Sequence, residues 1–285
     1  MITAAAFPAS KSRALPAASL IGGGLLLVVV VTAALTPLLL PADPQRMVGE
    51  PLVGPTPRFW LGTNAQGQDL FSQLVYGAQT SLLIGFSAAA LSTILSALIG
   101  VAAAGRGKGR GPALTSIDLF LAIPAMPLAV LLAATLRPGV WSSIGILAVL
   151  SWAPFARVVR IQAAGTWARD YVHAGRALGA SERRIIRSAI VPDIAPILFT
   201  KFLLTARWAV LMEATLGLLG LADPSRVSWG LTLHQALSYP LLFVTNAWVW
   251  WAVPPALGIV VTTLGLVAAG RELELWVNPQ ARWVT

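Results

Sequence analysis

Charge is scarce in this chain: only 11% of its 285 residues are Asp, Glu, Lys or Arg, against 56% hydrophobic. A soluble domain carries about a quarter charged residues, so a fully water-covered surface is excluded and most of the exterior must meet lipid or other protein. Cysteine is absent, which excludes disulfides, thiolate chemistry and cysteine-held metal but leaves the compartment open. The two histidines, His173 and His234, are far apart in sequence, so no multi-histidine metal site is expected. A phosphate loop is also missing. Lys108 is followed by Gly109 rather than Ser or Thr, and no glycine stands five positions before Gly107. The chain is not expected to bind or hydrolyse ATP. No nucleophile–base set, paired carboxylates or metal-ligand cluster is evident, so neither an enzyme active site nor a cofactor is expected.

What is present is a series of long apolar runs, at 19–40, 78–104, 113–136, 141–162, 195–221 and 247–269. Each is long enough to cross about 30 Å of hydrocarbon at 1.5 Å per residue. In lipid only a helix satisfies the backbone of a single segment, so the expected fold class is an all-α membrane protein with six transmembrane helices. The first run is longer than the apolar core of a secretory leader, about 7–15 residues, and reads as a retained span; a cleaved leader is the alternative. Gly22, Gly23 and Gly24 in it offer close helix approach or a bend.

The net charge is +9, but no nucleic-acid-reading motif accompanies it, so nucleic acid is not an expected partner. The basic residues alternate instead between apolar runs. Lys11 and Arg13, then Arg106, Lys108 and Arg110, then seven arginines from Arg157 to Arg187, then Arg271 and Arg282 fall on one side. Arg46, Arg58, Arg137 and Arg226 fall on the other. The positive-inside rule puts both termini in the cytoplasm, with the chain in the cytoplasmic (inner) membrane.

The most informative stretch is the cytoplasmic segment 163–192. Asp170 to Leu178 predicts a short helix, with an acidic residue at its positive end and Gly179 as a stop. Ser181 caps a second helix expected to end before Pro192. Small residues Ala174, Gly175 and Ala177 allow close approach of a partner, while Tyr171, Leu178 and Arg176 supply anchors. Taken alone, this reads equally as an amphipathic helix lying on anionic lipid. The run Asp170-Tyr-Val-His-Ala-Gly-Arg-Ala-Leu-Gly179 through Val191-Pro192 resembles, however, the EAA loop of ABC importer permeases, with Ala174-Gly175 where relatives have Ala-Ala. Two further segments resemble the dipeptide, oligopeptide and nickel branch of that family. One is Trp60-Leu-Gly-Thr-Asn-Ala-Gln-Gly-Gln-Asp69 with Tyr76-Gly-Ala-Gln-Thr-Ser. The other is Glu213-Ala-Thr-Leu-Gly-Leu-Leu-Gly with Pro224 and Ser228-Trp229-Gly230.

The resemblance covers about 58–279 and fits the C-type subunit. It implies the type I ABC importer permease fold. Together with the apolar runs and the basic residues, the expected layout is a cytoplasmic tail (1–17), a first transmembrane helix (18–40), an extracytoplasmic segment (41–77), a permease core (78–270) holding a coupling loop (163–192), and a cytoplasmic tail (271–285). It implies as partners a second homologous permease subunit, two ATP-binding subunits that carry ATP and magnesium, an extracytoplasmic substrate-binding protein and membrane lipid. The implied cargo is a peptide, with nickel or a metal chelate as the alternative within the family. The coupling residues it implies are Asp170, Tyr171, Ala174, Gly175, Arg176, Ala177, Leu178, Gly179 and Ser181.

The chain departs from the family pattern at Asn64, Gln68, Gln73 and Gln79, where relatives usually carry charges. Drift at a solvated interface and altered contact with a partner are both open readings. Within the spans, Arg207 and Glu213 need a reason, since an ionisable group at the helix centre costs about 2.5–3.5 kcal/mol on insertion scales. Asp118 reads as a cap or headgroup-level residue. Pro124, Pro127 and Pro154 are expected to kink their spans, and Trp248, Trp250 and Trp251 to form an interfacial belt. A secondary transporter or channel is the competing class; it would show intramembrane charge pairs, broken helices or inverted repeats.

Overall fold

The computed structural model describes residues 17–39 and 43–277. The expected N-terminal tail, Lys11, Arg13 and Arg282 lie outside them. Eleven α-helices occur among the described residues: α1 (Ala17–Leu39), α2 (Leu70–Ala104), α3 (Arg110–Ala122), α4 (Ala125–Thr135), α5 (Val140–Trp167), α6 (Asp170–Ala177), α7 (Glu182–Ile185), α8 (Val191–Leu218), α9 (Trp229–Leu237), α10 (Trp248–Trp251) and α11 (Val253–Val277). The described residues hold no sheet, only two isolated bridges, Met47 with Gln68 and Thr63 with Asp69.

Four continuous helical stretches are long and apolar enough to cross a membrane, beginning at Leu70, Val140, Glu182 and Trp248, and the bent pair α3–α4 makes a fifth. α1 has 23 residues and is about 35 Å long; within it Gly22–Thr36 is a shorter apolar helix and not one of these five. It lies on α11 where glycine allows it: a Cβ on Gly22 would fall 2.8 Å from that of Ala268, and one on Gly265 would meet the Gly22 carbonyl. Gly23 and Gly24 face open space.

Helix ends follow local chemistry more than hydropathy. α2 starts eight residues before the apolar run does, because Asp69 caps it, accepting from the Ser72 amide at 2.9 Å and the Ser72 hydroxyl at 2.6 Å. The third run is not one rod. It breaks at Ile123–Pro124, both extended, and turns through 91°. Proline lacks the amide needed to continue the ladder, and its ring drives the preceding residue out of the helical region.

The expected stop before Pro192 is corrected. The chain runs helically from Glu182 to Leu218, passing Pro192 by way of a π-helical turn at Ile186–Ile190. There the Val191 amide bonds back to Ile186, and the wider turn accommodates the proline ring. Pro154 likewise sits inside a continuous α5. The stretch beginning at Trp248 carries a one-residue turn at Ala252 between α10 and α11, ahead of Pro254 and Pro255. Of the three tryptophans there, Trp251 is 1% exposed and packs with Leu70, Ala236 and Leu242. It belongs to the buried core around the start of α2 and not to a lipid-facing belt. α2 is the spine of the bundle, packed along α5 and α8.

Candidate functional site

The segment between α5 and α8 folds as a helical hairpin. α6 ends in a Schellman motif: the Gly179 amide donates to Arg176 O and the Ala180 amide to Gly175 O, both at 2.9 Å. This motif puts Gly179 at φ +87°, a conformation that costs an ordinary L residue about 1–2 kcal/mol. Ser181 then opens α7, its hydroxyl accepting from the Arg184 amide at 3.4 Å.

The hairpin is two-faced. Val172 is buried in an apolar cluster with Val159, Ala163, Trp167, Ile185, Ile190 and Ile194. Arg176 also turns inward: its guanidinium lies 4.5 Å from the Trp167 ring centroid and 3.8 Å from Glu182. Gly175 is half-buried beside it. The opposite face carries Asp170, Tyr171, Ala174, Ala177 and Leu178, all exposed. Positions 171, 174 and 178 follow helical spacing, so they form one stripe. Leu178, 89% exposed, is an apolar side chain with nothing to cover it among the described residues.

A carboxylate braces the base of this hairpin. Asp193, at the start of α8, accepts from Gln162 Nε2 at 2.8 Å and from the Thr166 hydroxyl, and pairs with Arg169 at 3.3 Å. The end of α5 is thereby tied to the start of α8, on the two strands of chain that carry α6.

Three ionisable groups lie deeper in α8. Glu213 is buried and accepts from the Ser81 hydroxyl of α2 at 2.9 Å. Ser81 in turn accepts from the Trp229 amide at 3.3 Å, and Trp229 Nε1 donates to Leu74 O. Close approach of α8 and α9 makes this possible: a Cβ on Gly217 would lie 2.8 Å from the Gly230 backbone, and one on Gly230 2.6 Å from Ala214 O. Glu213 therefore acts as an interhelical tie. Lys201, 1% exposed, places its ammonium at 2.9 Å from both Ser92 O and Ser92 Oγ and 2.7 Å from Ser96 Oγ. Ser96 donates onward to Trp152 O. Lys201 thus ties α8 to α2, and through Ser96 to α5. Arg207 is different. It is exposed and has no ion pair among the described residues.

Around the start of α2, Asn64, Gln68 and Gln73 form a network. Asn64 Nδ2 and Gln73 Nε2 both donate to Gln68 Oε1 at 2.7 Å, Gln68 Nε2 donates to Gln45 O, and Asn64 Oδ1 accepts from the Gln66 and Gln68 amides. Asn64 and Gln73 are buried, so neither is a solvated surface position. They fold the segment from 43 to 69 onto the top of α2. Gln79 lines a cleft of about 380 Å³ together with Asp43, Gln45, Thr80 and Arg226. Asp118 pairs with Arg157 across α3 and α5 at 3.6 Å.

Residues 96–271 match the family model described as binding-protein-dependent transport system inner membrane component. The chain belongs to that family. Among curated relatives, this permease is 33% identical to the di/tripeptide transport system permease protein DppC of Pseudomonas aeruginosa, over 88% of this chain and 84% of that one. It is 37% identical to a putative peptide transport system permease protein of Brucella suis, over 78% and 74%. A chain of the MetNI methionine ABC transporter, solved in inward-facing conformations, has the same fold: TM-score 0.54 and 20% identity over 72% of this permease and 96% of that chain. The permease is thus a multi-pass membrane subunit of an ABC importer, with the type I fold, and not its ATPase.

The sequence reading did not single out Lys201 and Asp193. A lone lysine in an apolar run reads as a boundary residue, and the serines that hold it are 109 and 105 positions away. For Asp193 a signal existed in the cluster of Gln162, Thr166 and Arg169, residues spaced on one face at the end of α5.

Proposed function

We propose that this permease imports small peptides, as the C-type half of a heterodimer with a second homologous permease subunit. Two ATP-binding subunits dock from the cytoplasm, and an extracytoplasmic binding protein delivers the cargo. Both termini are cytoplasmic, and ATP and magnesium are bound by the partner subunits. ATP binding draws the ATPase subunits together, and α6 carries that movement into the spans, which pass from inward- to outward-open; hydrolysis resets them. This is a two-state element biased by a ligand that binds one state better.

The observation that carries the reading is the exposed stripe Tyr171–Ala174–Leu178 on a hairpin whose other face is locked into the bundle. An apolar anchor flanked by small residues suits insertion into a groove of a partner protein. Its mounting on Val172, Arg176 and Asp193 lets displacement of α6 move α5 and α8 with it. The names of the relatives support peptide as cargo.

The test is reconstitution of the permease with its partner subunits in liposomes, followed by uptake assays with a labelled tripeptide and a nickel chelate. ATP-dependent accumulation of the tripeptide is expected. Accumulation of the chelate alone would replace the cargo assignment, and uptake independent of ATP would point to a secondary transporter.

A further inference from the structure

α8 carries two cations six residues apart, Lys201 and Arg207, with opposite surroundings. Six residues turn a helix through about 240°, so the two point to different faces. Lys201 is buried, with acceptors for all three of its protons. Arg207 is exposed on the same face as Leu204 and Leu211, each 41% exposed. The helices packed on α8 are α2, α5, α9 and α11, and they leave this strip open.

Depth decides what can cover the strip. Arg207 is 12 residues after the start of the apolar run 195–221 and 14 before its end, hence about 18 Å and 21 Å from the two ends of that run. A guanidinium at that depth does not remain against hydrocarbon. Such groups face a water-filled cavity or a counter-charge within the protein, and none of the described carboxylates pairs with it.

We propose that Arg207 lines the substrate pathway and binds the C-terminal carboxylate of the peptide in transit. The inference rests on the peptide-import reading above. The terminal carboxylate is an anion that every unmodified peptide carries, whatever its side chains. Arg207 can take it through paired, charge-assisted hydrogen bonds. Leu204 and Leu211, one turn to either side, offer apolar walls without side-chain selectivity. The face is open, so the contact remains solvated and releasable, as a transport site requires.

The experiment compares uptake of a tripeptide with uptake of its C-terminal amide, in liposomes holding the assembled complex and the same binding protein throughout. Wild type should favour the free acid. Arg207→Gln should lower the ratio of free-acid to amide uptake about tenfold, the scale of one lost charged hydrogen bond; Arg207→Lys should fall between. Because the chain contains no cysteine, Arg207→Cys adds its only thiol. That thiol should react with a membrane-impermeant cationic thiosulfonate, and the restored positive charge should recover part of the free-acid preference. This variant keeps the test decisive if Arg207→Gln fails to assemble. An acid-to-amide ratio unchanged from wild type in Arg207→Gln, or a thiol in Arg207→Cys that is inert to the aqueous reagent, overturns the inference while peptide import stands. A wild-type complex that moves neither peptide overturns peptide import and the inference with it.

Discussion

Gly179 is where one residue decides a local structure. It holds φ +87°, and a Cβ placed there would meet no atom within 4 Å. The strain of a substitution is therefore backbone strain alone. Asn tolerates the left-handed region and β-branched residues do not, so Gly179→Asn should keep most ATP-dependent uptake and Gly179→Val should lose most of it. Equal membrane levels of the two variants, read by immunoblot, would separate lost coupling from lost insertion; equal uptake by both would remove Gly179 from the coupling role. The glycine was legible in the sequence because its requirement is local. Arg176 was legible as important but not in direction, since its partners Trp167 and Glu182 become neighbours only once the hairpin closes. The amides around the start of α2 show the same limit. Asn64, Gln68 and Gln73 read as departures at a surface, and burial turned them into a network.

At the scale of elements, the proposed coupling requires a rigid base to the hairpin. Asp193 supplies that rigidity by taking donors from Gln162 and Thr166 of α5 and from Arg169 at the start of α6. Hydrogen bonds to a charged group contribute about 1.5–3 kcal/mol each. Asp193→Ala should therefore lower the thermal stability of the purified permease and reduce uptake, with the ATPase subunits still bound. Unchanged uptake per assembled complex would mean that α6 transmits movement by another route. Spans were legible for five of the six apolar runs, four as single long helices and one as a bent pair, because about 20 apolar residues admit one structure in lipid. Their ends and interruptions were not. The capped start at Asp69, the break at Ile123–Pro124 and the π turn before Pro192 are set by caps and prolines, which a hydropathy window averages away.

On the scale of the whole molecule, the permease is a bundle tied internally by Lys201 and Glu213, with two exposed strips. One is the strip around Arg207 on α8, proposed to meet cargo, and the other is the stripe on α6, proposed to meet the ATPase subunit. The account stands on the second. With no cysteine in the chain, Ala174→Cys places a single thiol at the centre of that stripe. In the complex assembled with nucleotide, a short bifunctional thiol reagent should link this thiol to the ATPase subunit, and docking should shield it from a bulky maleimide that labels it freely in the isolated permease. Labelling of the Ala174→Cys variant at the same rate in both states, with no cross-link formed, would contradict the account.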